Sequence, residues 1–198
     1  MKVCLTGGIA SGKSLLSRYL NELGVKTCDA DDIVHELIPQ EERERLRKVV
    51  FKDPEARKEL EARIHPLVRR KILSVIEGRS QGSGVRNQGL GVRGQESVLT
   101  PTPSLPTVAV IPLLFEVQWE KDYDIIVCVL SSREKQIERM MSLRGYSREE
   151  AEARLAAQMD PAIKAAKSDY VILNDSSDED LKVEARKLVE YLVSKSKA

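Results

Sequence analysis

Apolar positions along this chain fall into short, unbroken runs. Five of them, at residues 2–6, 25–28, 107–111, 124–130 and 170–173, are rich in Val, Ile and Leu. Runs of that length without polar interruption suit strands buried on both faces. Helical patterns lie between most of them. The alternation predicts an α/β fold: an open, doubly wound, mainly parallel five-stranded sheet with helices on both sides. Residues 31–77 are almost wholly helical in pattern, with one helix over 41–51 and another over 54–77. Pro54 sits in the first turn of the second, and a break is expected at Pro66. A helical pair at 132–141 and 147–159 is divided by Gly145. An amphipathic helix at 178–195 closes the chain, with Ser176 or Ser177 near its N-cap.

Residues 78–106 read differently. They hold six glycines and three prolines, and Gly84-Val85-Arg86-Asn87-Gln88 is nearly repeated as Gly91-Val92-Arg93-Gly94-Gln95. Such a stretch buries too little apolar surface for a core of its own. It predicts a flexible loop carrying at most a short hairpin. A tolerated insertion accounts for it more simply than a functional lid does.

Composition narrows the partners. Among 198 residues, 32 basic and 31 acidic side chains leave a net charge of +1. That balance argues against nucleic acid and against a membrane surface. No apolar run approaches membrane-spanning length, and the N-terminus enters a strand at once. Cys4, Cys28 and Cys128 lie in apolar, strand-like runs without metal-ligand spacing. They read as core thiols of a cytoplasmic protein in a reducing compartment. Oligomeric state is not legible.

The chemistry begins at Gly7-Gly8-Ile9-Ala10-Ser11-Gly12-Lys13-Ser14. This is the complete G-x-x-x-x-G-K-[ST] loop, set between a predicted strand and a predicted helix. Its backbone N–H groups cradle a triphosphate and the helix dipole adds to the attraction. Lys13 reaches the outer phosphates, and the Ser14 hydroxyl is a ligand for Mg²⁺. The second predicted strand ends in Cys28-Asp29-Ala30-Asp31-Asp32. Ligands of open α/β sheets collect at the C-terminal strand ends. One carboxylate there can accept the proton of an acceptor hydroxyl, and the other can hold Mg²⁺ through water. N-capping of the next helix is the alternative use of these residues. An aspartate pair favours a neutral hydroxyl acceptor over an anionic one. Arg133, Arg139, Arg144, Arg148 and Arg154 crowd the helical pair, where a hinged lid would carry one or two of them over phosphate. Pairing with Glu134, Glu138, Glu149 and Glu152 is the simpler use of any single one.

Further motifs follow in order: His65-Pro66-Leu67-Val68, Pro112-Leu113-Leu114-Phe115-Glu116, Ala156-Ala157-Gln158, and Asp169-Tyr170-Val171-Ile172 followed by Asn174. With the phosphate loop and Asp29-Ala30-Asp31, this set resembles the dephospho-coenzyme A kinase family, a nucleoside-kinase-like branch of P-loop proteins. The resemblance implies transfer of phosphate from ATP to the ribose 3′-hydroxyl of dephospho-CoA, with Mg²⁺. It implies Asp31 as base, with Lys13 and Arg139 completing the catalytic set. Gly8, Ile9, Ala10, Ser11, Gly12, Lys13, Ser14 and Leu15 would hold the nucleotide, and Asn174 would lie at its adenine. Asp29, His65, Pro112, Leu113 and Leu114 would border the acceptor, and Ser14 and Asp29 the metal. The implied arrangement is one kinase domain. Its core is 1–30, 107–131 and 160–198, its acceptor lobe 31–78, its loop 79–106 and its lid 132–159. Leu15 replaces the usual Thr, Val110 an acidic residue, and Leu143 a second lid arginine, with Arg144 just beyond. A kinase for another small hydroxyl-bearing metabolite, or a nucleotide-binding switch without phosphotransfer, stays open on the residues alone.

Overall fold

The computed structural model describes residues 1–38, 54–79, 85–86 and 105–196. The helix expected at 41–51 and most of the 78–106 stretch lie outside these. The sheet is built from β1 (Val3–Gly7), β2 (Thr27–Asp29), β3 (Val85–Arg86), β4 (Val108–Val110), β5 (Ile125–Leu130) and β6 (Tyr170–Leu173). Their order across the sheet is β3-β2-β4-β1-β5-β6. Five strands are parallel, as the sequence pattern predicts. The sixth, β3, adds antiparallel to β2 at the edge, with Thr27 opposite Arg86. The glycine-rich stretch therefore contributes an edge strand to the sheet.

β1 lies fully buried in the centre, and side-chain alternation divides the core in two. Val3 and Leu5 face one side, where Leu16 and Leu20 of α1 (Lys13–Glu22) meet Leu181, Leu188 and Leu192 of α7 (Asp178–Ser196). Cys4 faces the other side, with Cys28, Ala109 and Ile126. Covering that face are Ile33 of α2 (Ala30–Leu37) and Val68, Ile72 and Val75 of α3 (Pro54–Ile76). All three cysteines are buried and free, as their apolar surroundings predict. Burial pushes the Cys28 thiol up to about 12, which leaves it protonated and inert.

α3 runs unbroken through Pro66, against the expected interruption. A proline inside a helix removes one N–H, here the partner of the Ala62 carbonyl. Pro66 and Ala62 are both exposed, so water can satisfy that carbonyl. The apolar face at Val68, Ile72 and Val75 holds the helix to the sheet on the opposite side.

The helical pair is α4 (Arg133–Arg144) and α5 (Arg148–Ala156). Gly145 ends α4 in a left-handed cap at φ 68°, and Ser147 with Glu150 forms a capping box on α5. Ile137, Met140 and Ala151 bury a small core of their own against Ile9 and Ala10. A short helix, α6 (Pro161–Ala166), follows. It has Asp160 as N-cap and Pro161 in its first turn. Ser177 caps α7, accepting from the Asp180 N–H.

Candidate active site

The loop between β1 and α1 is wound around positions that only small residues fill. Gly12 has φ 102°, and a Cβ there would collide with the Asn174 side-chain amide. Gly7 has φ 145°, and a Cβ would strike the Val129 carbonyl. α1 then begins with no side-chain cap and no acid in its first turn. An uncapped helix N-terminus directs N–H dipoles at whatever lies in front of it. Here that is a cavity of about 810 Å³ whose wall includes Gly12, Lys13, Ser14 and Leu15. The donor set suits a polyphosphate.

Neighbouring elements clamp the loop from outside. The Ile9 N–H donates to Gln158 Oε1 at 2.8 Å, and Gln136 Nε2 donates to the Ile9 carbonyl at 2.6 Å. Asn174 Nδ2 donates to the Ser11 carbonyl at 2.7 Å. Arg139 Nη1 lies 3.3 Å from the Ala10 carbonyl and 3.1 Å from Ser131 Oγ, and Nη2 donates to the Asn174 carbonyl at 2.8 Å. Gln136 and Arg139 are one turn apart on α4, so one helix face delivers both clamps.

Lys13 is buried. Its Nζ donates to the Gly7 carbonyl at 2.9 Å and the Gly8 carbonyl at 2.7 Å. Burial, reinforced by the nearby Lys164 charge, lowers its ammonium from the ordinary 10.5 to about 8. Asp29 and Asp31 oppose that shift, so both carboxylates act electrostatically on the same lysine. They reach it across β4, because Asp29 and Leu5 both pair with Val110. Asp29 caps α2, its Oδ1 accepting from the Asp31 N–H at 2.9 Å. Both aspartates border the cavity, and the Asp31 side chain stands exposed in it.

The remaining expected residues divide. His65 lines the cavity and meets Trp119 edge to face, with ring centroids 5.8 Å apart. Pro112 and Leu113 line it as well, and Leu113 is 41% exposed. Leu114 does not. It is fully buried in the core beside Cys4 and Ile111, so its place in the acceptor set is corrected to a packing role. The motif turns sharply after β4, and adjacent residues there face opposite ways. Ser14 is exposed at the mouth of the anion cradle, and Asn174 sits 4% exposed behind it. Arg139 borders the same cavity, but its guanidinium grips loop carbonyls.

A family profile described as dephospho-CoA kinase matches residues 1–44 and 93–180. The chain belongs to the dephospho-CoA kinase family. The dephospho-CoA kinase of Symbiobacterium thermophilum is 36% identical over 87% of this chain and 73% of its own length. Among solved structures, the dephospho-CoA kinase of Campylobacter jejuni is similar with a TM-score of 0.66 and 26% identity, covering 98% of each chain. A shikimate kinase of Bacteroides thetaiotaomicron, at TM-score 0.56 and 14% identity, shares the fold. Dephospho-CoA kinases use a nucleotide and carry out the last step of coenzyme A biosynthesis. Residues 45–92, outside the profile match, include α3 and β3.

In this family member the sequence pattern left several site residues unread. Gln136 carries no motif, though its spacing of three from Arg139 on one helix was available. Gln158 was visible only as part of Ala156-Ala157-Gln158. Lys164 is fully buried and ion-paired with Glu116 at 2.7 Å. A lone lysine in the short segment Pro161–Ala166 gives no sign of its partner. No helix among the described residues is long and apolar enough to cross a membrane.

Proposed function

We propose that the protein transfers the terminal phosphoryl group of ATP to the ribose 3′-hydroxyl of dephospho-CoA, releasing CoA and ADP. One observation carries this reading. A single cavity joins an uncapped, lysine-bearing helix N-terminus to the acidic end of β2 and then to an apolar wall at Val34, Val68, Leu113 and Trp119. It has a seat for phosphate, a base for a hydroxyl, and apolar surface for an acceptor with a long organic tail.

In this mechanism the cradle N–H groups and Lys13 hold the β- and γ-phosphates. Asp31 orients the acceptor hydroxyl and takes its proton as the oxygen attacks phosphorus and the bond to ADP breaks. Ser14 and, through water, Asp29 would hold Mg²⁺. No cluster of three or more potential metal-ligating His, Cys, Asp or Glu side chains occurs among the described residues, which suits an ion held mostly by phosphate and water. When bound, the ion neutralises phosphate charge. Asn174 and Arg139 form the back wall of the nucleotide seat. His65, Pro112 and Leu113 form the acceptor side. The α4–α5 pair serves as the lid, and α2–α3 as the acceptor lobe.

The lid arginine that meets phosphate is Arg144. Arg133 pairs with Glu152, and Arg148 with Glu134 at 2.8 Å. Arg154 lies over the Tyr146 ring at 4.3 Å, and Arg139 holds the loop. Arg144 borders the cavity with no partner among the described residues. It stands one residue beyond the place that Leu143 occupies. Arg144→Gln should lower kcat about 10- to 10³-fold and leave the melting temperature nearly unchanged, since no hydrogen bond or ion pair among the described residues is lost. Steady-state kinetics beside thermal melting checks both halves. An unchanged kcat removes Arg144 from the transition state.

Incubation with MgATP and dephospho-CoA tests the whole assignment. CoA and ADP should form in equal amounts. A higher kcat/KM for an unrelated hydroxyl metabolite, or ATP binding without acceptor-stimulated turnover, would replace it.

A further inference from the structure

Lys164 lies outside the cavity wall, yet its ammonium bonds two oxygens of the 112–116 turn, and those same oxygens are met by the phosphate-loop strand and by the segment after α5. The side chain is completely buried. Nζ contacts Glu116 Oε1 at 2.7 Å and donates to the Pro112 carbonyl at 2.9 Å. The same Glu116 oxygen accepts the Met159 N–H at 3.2 Å. The Pro112 carbonyl also accepts from Thr6 Oγ1, at 3.4 Å, just before the phosphate loop. Gln158, next to Met159, holds the Ile9 N–H.

We propose that Lys164 is a positioning residue for the acceptor. Through Pro112 and Glu116 it fixes the 112–116 turn, whose Pro112 and Leu113 wall the cavity. It sets that turn in register with the segment leaving α5. This rests on the assignment of Pro112 and Leu113 to the acceptor side.

The physical case is one of choice. A fully buried ammonium carries a desolvation penalty that a methionine of similar volume would avoid. The paired carboxylate shares that penalty, and its Oε2 has no hydrogen-bond partner among the described residues. Packing alone favours an apolar side chain at position 164. A buried cation does what an apolar group cannot: it bonds two chosen oxygens in fixed directions and so selects one arrangement of the turn. Both oxygens belong to the turn that walls the cavity. Leu114 and Phe115, between them, are buried and anchor the turn to the sheet. Without Lys164 the turn keeps its apolar anchor and loses its polar register.

The test compares Lys164→Met, Lys164→Arg and the double variant Lys164→Met with Glu116→Leu. The double variant removes both charges, so it folds without an orphaned carboxylate. At pH 7, below the Lys13 value of about 8, Lys13 stays charged in every variant. For the double variant, the KM for dephospho-CoA should rise about 10- to 100-fold, the cost of a misplaced binding wall. The Kd of a fluorescent ATP analogue should stay within about threefold. Lys164→Arg should recover part of the KM. Amide exchange in peptides covering 112–116 and 158–160 should speed up about tenfold, while the 7–14 peptide is unchanged. An unchanged KM, an equal loss of ATP-analogue affinity, or unchanged exchange at 112–116 overturns the positioning role. Exchange is read without substrate, so it still decides the role of Lys164 if the wild-type chain fails to turn over dephospho-CoA. That failure would count against the assigned reaction instead.

Discussion

Replacing Asp31 with asparagine should lower kcat roughly 10²–10⁴-fold and leave ATP affinity within a few-fold of wild type. The substitution keeps the side chain's shape and the backbone N–H that Asp29 caps at 2.9 Å. α2 therefore keeps its start, and the loss reports the carboxylate alone. An amide can still orient a hydroxyl by hydrogen bonding, but it cannot take the proton. Asp29 is the natural control. One of its oxygens already serves the helix, and asparagine caps as well as aspartate does. Asp29→Asn should therefore cost less than Asp31→Asn in kcat, and its loss should shrink at high magnesium. Single-turnover measurements on both variants separate chemistry from binding. If Asp31→Asn phosphorylates its acceptor within about threefold of the wild-type rate, Asp31 is not the base.

Lys13→Met should abolish useful activity and at the same time stabilise the nucleotide-free protein. The ammonium titrates near 8, against an ordinary 10.5. Between those values the unfolded chain binds more protons than the folded one, so stability rises with pH through that window. Below pH 8 the full penalty of the buried charge is present. A shift of this size corresponds to about 3 kcal/mol. Methionine fills the space without charge but deserts the Gly7 and Gly8 carbonyls, which returns part of the gain. A net stabilisation of about 1 kcal/mol would raise the melting temperature by about 2–4 °C. Meanwhile kcat should fall at least about 10²–10³-fold, since a charge facing the transferred phosphoryl group is gone. The wild-type protein should melt higher in MgATP through linkage, and the variant should show much less of this shift. A variant that melts lower than wild type without nucleotide, or that keeps the full MgATP shift, would contradict the lysine's placement.

Both predictions concern residues that local sequence made readable. Lys13 belongs to an eight-residue loop whose conformation is dictated by Gly7, Gly12 and the helix start. Asp31 follows a short run, Val25–Cys28, whose pattern reads as a strand. Arg139 shows the opposite case. Its position on a charged helix suggests a side chain reaching for phosphate; in the fold its guanidinium lies on the Ala10 and Asn174 carbonyls and Ser131 Oγ, contacts that no local pattern records. Leu113 and Leu114 stand side by side in the motif whose resemblance implies an acceptor wall, yet a single turn of backbone puts Leu114 in the core and Leu113 at the cavity. Pro66 predicts a break by local rule, and packing of α3 on the sheet overrides it.

By itself, the sequence determined the five strand segments, the anion loop and the acidic strand end, because each is marked by a pattern within a few residues. Only the tertiary structure decided that β4 slides between β1 and β2, so that Val110 separates the loop from Asp29. Only it decided that Lys164 is buried on Glu116, some fifty residues away in the chain, and that Arg144 borders the cavity without a partner among the described residues. Strand order and charge pairing rest on which distant segments share the interior. Burial sets the energy of each charge there, and no local pattern records it.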